Sequence, residues 1–138
     1  MPHWLLLSLI ALVAWGITGN TQKLSTNCVS TQFSFLGFAL AFIPVALITV
    51  ALFPVSLALP RDVVALGVLS GVLNGFGALT GFAAFEKGAK SAVAVPVMYL
   101  YPLITVVLAY VFLNEHISPA HWGGIVLAPI AAWLLSTD

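Results

Sequence analysis

What the sequence has least of is charge. Of its 138 residues 6% are charged, where a water-soluble domain carries about 25%, and a soluble globular fold is thereby excluded. Four Lys+Arg balance four Asp+Glu to a formal net charge of zero. That removes both the basic footprint needed to hold nucleic acid and any acidic tail. Cysteine is almost absent as well: Cys28 is the sole one, so no intramolecular disulfide can form, and the thiol reads as a small filler. The first fifteen residues, Met1 to Trp15, carry no Lys or Arg and no A-x-A pattern. They are therefore expected to be a retained first span rather than a cleaved signal.

What is present is apolar: 62% of the residues are hydrophobic. The charges fall at Lys23, Arg61, Asp62, Glu86, Lys87, Lys90, Glu115 and Asp138, leaving stretches wide enough for the ~20 residues of a membrane helix. The apolar runs are Trp4 to Gly19, Phe33 to Phe53, Val63 to Phe85, Ala92 to Leu113 and Ala120 to Leu135. They predict an all-α integral membrane protein, a single five-helix transmembrane domain over residues 1–138. Its spans are expected near 4–24, 31–54, 62–86, 91–113 and 119–136. Ser118 before Pro119, and Ser91 before the fourth run, are N-cap candidates. The connections are too short for an extramembrane domain. A membrane barrel would need alternating segments, and the run from Leu103 does not alternate. Trp4, Trp122 and Trp133 near span ends read as interfacial anchors. Five spans put Arg61 on one side and Lys23, Lys87 and Lys90 on the other, which favours a cytoplasmic C-terminus by a margin small enough to allow dual insertion.

Polar and small residues gather in few places. In the third span Gly67, Ser70, Gly71, Asn74, Ala78 and Gly81 fall within about a third of the helix circumference. Gly67, Gly71, Gly75 and Gly81 read as helix-packing positions, since small-xxx-small faces let backbones approach. Asn74 at mid-span either hydrogen-bonds to a neighbouring helix or points into a polar cavity. The first span turns polar after Trp15, through Thr18, Asn20, Thr21 and Gln22 to Lys23. Lys23 is either an anchor snorkelling to the interface or a cation at the mouth of a solute path. The fourth span carries Pro96 and Pro102 with three tyrosines. Tyr99 and Tyr110, three turns apart, share a face on a continuous helix, with Tyr101 nearly opposite Tyr99. Glu86 and Lys90 are placed for an i,i+4 pair. Glu115, His116 and His121 do not fall on one helical face, so no metal site is expected. With no nucleophile–base pair at mid-membrane, neither enzymatic chemistry nor a cofactor is expected.

Together these segments resemble the EamA-type repeat of the drug/metabolite transporter superfamily. The likeness rests on the five-helix layout, on Trp15-Gly16 followed by Lys23, and on the Gly-rich third span ending Ala83-Ala84-Phe85-Glu86-Lys87-Gly88. It continues in the stretch from Ala92 through Pro96, Tyr99 and Pro102 to Leu103, and in Tyr110 to Ser118 with Trp122-Gly123-Gly124-Ile125. The resemblance implies an inner-membrane, multi-pass exporter or exchanger of small metabolites, working by alternating access. Members usually carry two such repeats, so one copy implies a ten-helix dimer, antiparallel with itself or paired with another half-size chain. The four-helix small multidrug resistance proteins have an acidic residue in the first span. None stands at mid-span here, which removes the carboxylate that would exchange a proton for a cationic drug.

The expectation is a dimeric transporter with Trp15, Lys23, Ser70, Asn74, Tyr99 and Tyr110 lining or gating the path. Its partners would be the bilayer, a small-molecule solute and a second copy or another half-size chain. A non-transporting subunit of a larger membrane complex and a flippase for lipid-linked substrates are the alternatives.

Overall fold

The computed structural model describes residues 2–54, 58–116 and 118–136; the side chains of residues 119–121 lie outside that description. Every described element is a helix: α1 (His3–Cys28), α2 (Thr31–Leu52), α3 (Arg61–Glu86), α4 (Ser91–Met98), α5 (Tyr101–Phe112) and α6 (Pro119–Leu135). Among the described residues four stretches are long and apolar enough to cross a membrane, counting Ser91–Phe112 as one, and a shorter apolar helix covers Trp122–Leu135.

The helix ends follow local chemistry. Val29 and Ser30 are extended and separate α1 from α2. α3 begins after Pro60 with Asp62 in its first turn, where an anion complements the helix dipole. It stops at Glu86 because Gly88, at φ +97, takes the left-handed turn that glycine adopts without steric cost. This turn corrects one expectation. Lys90 is no longer a helical turn beyond Glu86, so the i,i+4 pair does not form, and the Glu86 carboxylate finds another partner. A second correction concerns Ser91. It is already the first helical residue, while the extended Lys90 before it holds the cap position and its carbonyl accepts the N–H groups of Val93 and Ala94. At the start of α6 the Ser118 carbonyl accepts the Trp122 N–H.

The fourth span, expected as one helix, is two. Pro102 has no N–H to give the carbonyl of Met98, and its ring crowds that carbonyl. The chain responds with a tight turn at Tyr99 and Leu100, held by Leu100 N–H to Val97 O and Leu103 N–H to Leu100 O bonds, the i→i+3 pattern of a 3-10 turn. The tyrosine register changes with it. The Tyr99 and Tyr101 rings lie 6.1 Å apart instead of on opposite sides, and the three-turn relation of Tyr99 to Tyr110 no longer applies.

The chain divides into two units, Met1–Lys87 and Gly88–Asp138. In the first, α1, α2 and α3 meet at one end, formed by the C-terminal end of α1, the N-terminal end of α2 and the C-terminal end of α3. The buried residues gather there: Gly19 and Thr26, Thr31 and Ser34, and Gly81, Phe82 and Phe85. Phe82 and Phe85 are 2% and 1% exposed. The Phe82 ring meets Phe38 and Phe35 edge-on at 5.7 and 6.5 Å, an arrangement that aromatic quadrupoles favour. In the second unit α4 packs against α6, where Ala132 is buried.

Candidate functional site

The gathered end of the first unit holds most of its polar chemistry. α1 presents Thr18, Thr21, Gln22 and Ser25, spaced i, i+3, i+4 and i+7 and therefore on one face, and the extended Val29 follows just past its end. α2 presents Phe33, Ser34, Gly37 and Phe38 opposite them, and Phe82 of α3 closes the back. Between them lies an open groove of about 380 Å³, at the lower end of the ~300–1,000 Å³ common for small-molecule sites. Its foot is fixed by a 2.7 Å bond between the Ser25 and Ser34 hydroxyls. The threonine hydroxyls turn back on their own helix, Thr18 to the Ala14 carbonyl and Thr21 to that of Thr18, both at 2.9 Å. Gln22, partly buried, makes no hydrogen bond to another described residue.

Two charged side chains tie the three helices together, each through a backbone group at a helix end. Lys23 Nζ donates to the Phe85 carbonyl in the last turn of α3 at 2.9 Å, a cation at the negative end of a helix dipole. The Thr31 N–H, at the start of α2, donates to Glu86 Oε2 at 3.1 Å, an anion at the positive end. The bonds start from neighbouring residues, since Phe85 accepts one and Glu86 the other. Thr31 is 4% exposed, and its buried hydroxyl has no hydrogen-bond partner among the described residues.

The residues expected from the sequence are distributed as follows. Lys23 reaches the Phe85 carbonyl. Trp15 is exposed on α1, two turns before Gln22 and at nearly the same azimuth. Ser70 and Asn74 are exposed on α3 and make no hydrogen bond to described residues. In the second unit Tyr99 lies at the break and Tyr110 on α5, both exposed. An added Cβ at Gly67, Gly71 or Gly75 would meet nothing within 4 Å, whereas Gly81 is buried. Glu115 and His116 are exposed beyond α5, past an Asn114 at φ 52. The His121 side chain lies outside the described residues, and among the described ones no group of three metal-ligating side chains converges. The groove itself needed α1 and α2 to be set face to face. Its signal in the sequence is the polar spacing from Thr18 to Ser25, facing Ser34 across the turn.

The model of the EamA-like transporter family matches residues 2–137. The chain belongs to this family. It is thus a multi-pass membrane protein of a drug and metabolite transporter family, carrying one repeat-sized domain. No curated protein and no solved structure matches it. EamA-like membership and the apolar helices agree on the membrane: Leu66, Val68, Leu73 and Phe76 of α3, for example, are all exposed, which suits lipid and not water.

Proposed function

We propose that this chain is one half of a transporter that exports or exchanges a small metabolite by alternating access, acting in an inner or plasma membrane as a dimer of five-span units. The observation that carries the reading is the family match over nearly the whole chain. The exposed amide of Asn74 supports it. It sits mid-way along an apolar helix with Ser70 one turn before it, where lipid offers no hydrogen bond. A second copy packed on the Gly67, Gly71 and Gly75 face would bring backbones close and give the amide either a partner or a shared polar path. An antiparallel arrangement suits an odd number of spans, because two such units related by an axis in the membrane plane face opposite ways. In this reading Trp15, Lys23, Ser70 and Asn74 of the first unit, and Tyr99 and Tyr110 of the second, line or gate the path.

The test is flux of a panel of labelled metabolites into proteoliposomes, comparing the wild type with Asn74→Leu. Loss of flux in the variant is expected; unchanged flux removes Asn74 from the path. Cys28, exposed at the end of α1, reports orientation in intact cells. Partial modification by a membrane-impermeant thiol reagent, completed on permeabilisation, is expected of an antiparallel pair. Modification from one side only, with a single fixed partner copurifying and no flux, would make the chain an accessory subunit instead.

A further inference from the structure

The groove between α1 and α2 combines three properties. Among the described residues no charged side chain lines it. Lys23, next to Gln22 in sequence, and Glu86, one turn past Phe82, are turned onto backbone groups of α3 and α2. Gln22 brings an amide with two donors and an acceptor that no described residue occupies, while the hydroxyls around it are bonded to Ala14, to Thr18 and to each other. Phe33, Phe38 and Phe82 supply an aromatic wall. A charged solute entering here would give up its hydration and meet no counter-charge, which is costly in an apolar setting. An uncharged head able to donate and accept would pair with Gln22, and an aromatic or aliphatic body would cover the phenylalanines.

We propose that this groove is a binding site for an uncharged amphipathic solute, an amide or alcohol on a compact apolar or aromatic body, with Gln22 as the residue that sets the preference for neutral heads. The proposal rests on the transport reading only for its physiological meaning, since binding itself can be measured without flux.

The test uses the full chain purified in lipid nanodiscs and three radiolabelled probes of nearly one shape: phenylacetamide, phenylacetate and phenethylammonium, by equilibrium dialysis. The wild type is expected to bind phenylacetamide at least about tenfold more tightly than either ion, the discrimination that an unpaired polar group commonly imposes. Gln22→Leu should remove most of that preference. Gln22→Glu should turn it toward phenethylammonium, a gain that a merely unfolded variant cannot show. The site is overturned if phenylacetamide fails to bind at about 1 mM, the weak end of specific affinities. It is overturned equally if either ion binds as well as the amide in the wild type, or if both Gln22 variants keep the wild-type order. Neutral-selective binding that Gln22 controls, without flux of any probe, would leave the groove standing and remove the transport reading. Flux of the probes that is insensitive to Gln22 would do the reverse.

Discussion

One face of α3 has two fates. Gly67, Ser70, Gly71 and Asn74 in its first half, and Ala78, Gly81, Phe82 and Phe85 in its second, lie within about 120° of one another around the helix. The second half of that stripe is covered by α1 and α2, down to Phe85 at 1% exposed, while every residue from 61 to 74 is exposed. The helices of the first unit are held where Lys23, Glu86, Thr31 and the phenylalanines meet, and the stripe runs on beyond that point without cover. Small residues therefore do different work along one helix. Gly81 lies inside a packed end, whereas Gly67, Gly71 and Gly75 leave a surface against which another backbone could come close.

The sharpest way to break this contrast is at the packed end. Phe85→Ala should lower unfolding stability in mild detergent by about 2–3 kcal/mol, below the range in water-soluble cores because lipid is as apolar as the site itself. A loss no larger than that of an exposed Phe76→Ala control would mean the gathered end is not the core. Next in size, Pro102→Ala restores an N–H to the Met98 carbonyl, and amide exchange across Tyr99 to Leu103 should slow by about tenfold or more as the turn becomes helix. Unchanged exchange would show that the break has a cause other than proline. Lys23→Met keeps the apolar stem and loses the bond to the Phe85 carbonyl, at a cost of about 1–2 kcal/mol. Glu86→Gln, which keeps an acceptor for the Thr31 N–H, should fall short of that effect in the same unfolding assay; a larger loss would give the carboxylate's charge the leading role. The smallest effect belongs to the open end. Gly71→Val should leave the single chain's stability within about 0.5 kcal/mol, since its Cβ meets nothing within 4 Å, yet abolish self-association measured by energy transfer between labelled copies. Association that survives would place the dimer contact elsewhere.

Most of the fold was legible because lipid imposes a coarse rule. Apolar runs between isolated charges coincide with α1, α2, α3 and α6, although α1 continues nine residues past the run that marks it, through a polar end. What escaped the sequence depended on single atoms. A proline pair can bend a membrane helix or leave it continuous; which happens at Pro102 turns on whether the Met98 carbonyl finds another donor. The Glu86–Lys90 spacing suggested a local pair, but Gly88 turns the chain and sends the carboxylate to Thr31, fifty-five residues away in sequence. Lys23 was legible as a cation near a helix end, though not as the cap of a different helix. The groove was half legible, since the polar spacing from Thr18 to Ser25 is a helical face, while its wall of Phe33, Phe38 and Phe82 exists only once three helices meet.

The helices also differ in reach. At about 1.5 Å per residue the apolar run of α3, Val63 to Phe85, extends about 35 Å, and that of α6, Ala120 to Leu135, about 24 Å, around a hydrocarbon layer of ~30 Å. No single membrane thickness suits both kinds. A thin bilayer accommodates α6 and obliges α3 to tilt; a thick one lets α3 stand upright and strains α6. Each ångström of mismatch costs a fraction of a kcal/mol, so the length of the lipid chains bears directly on the tilt these two helices can adopt.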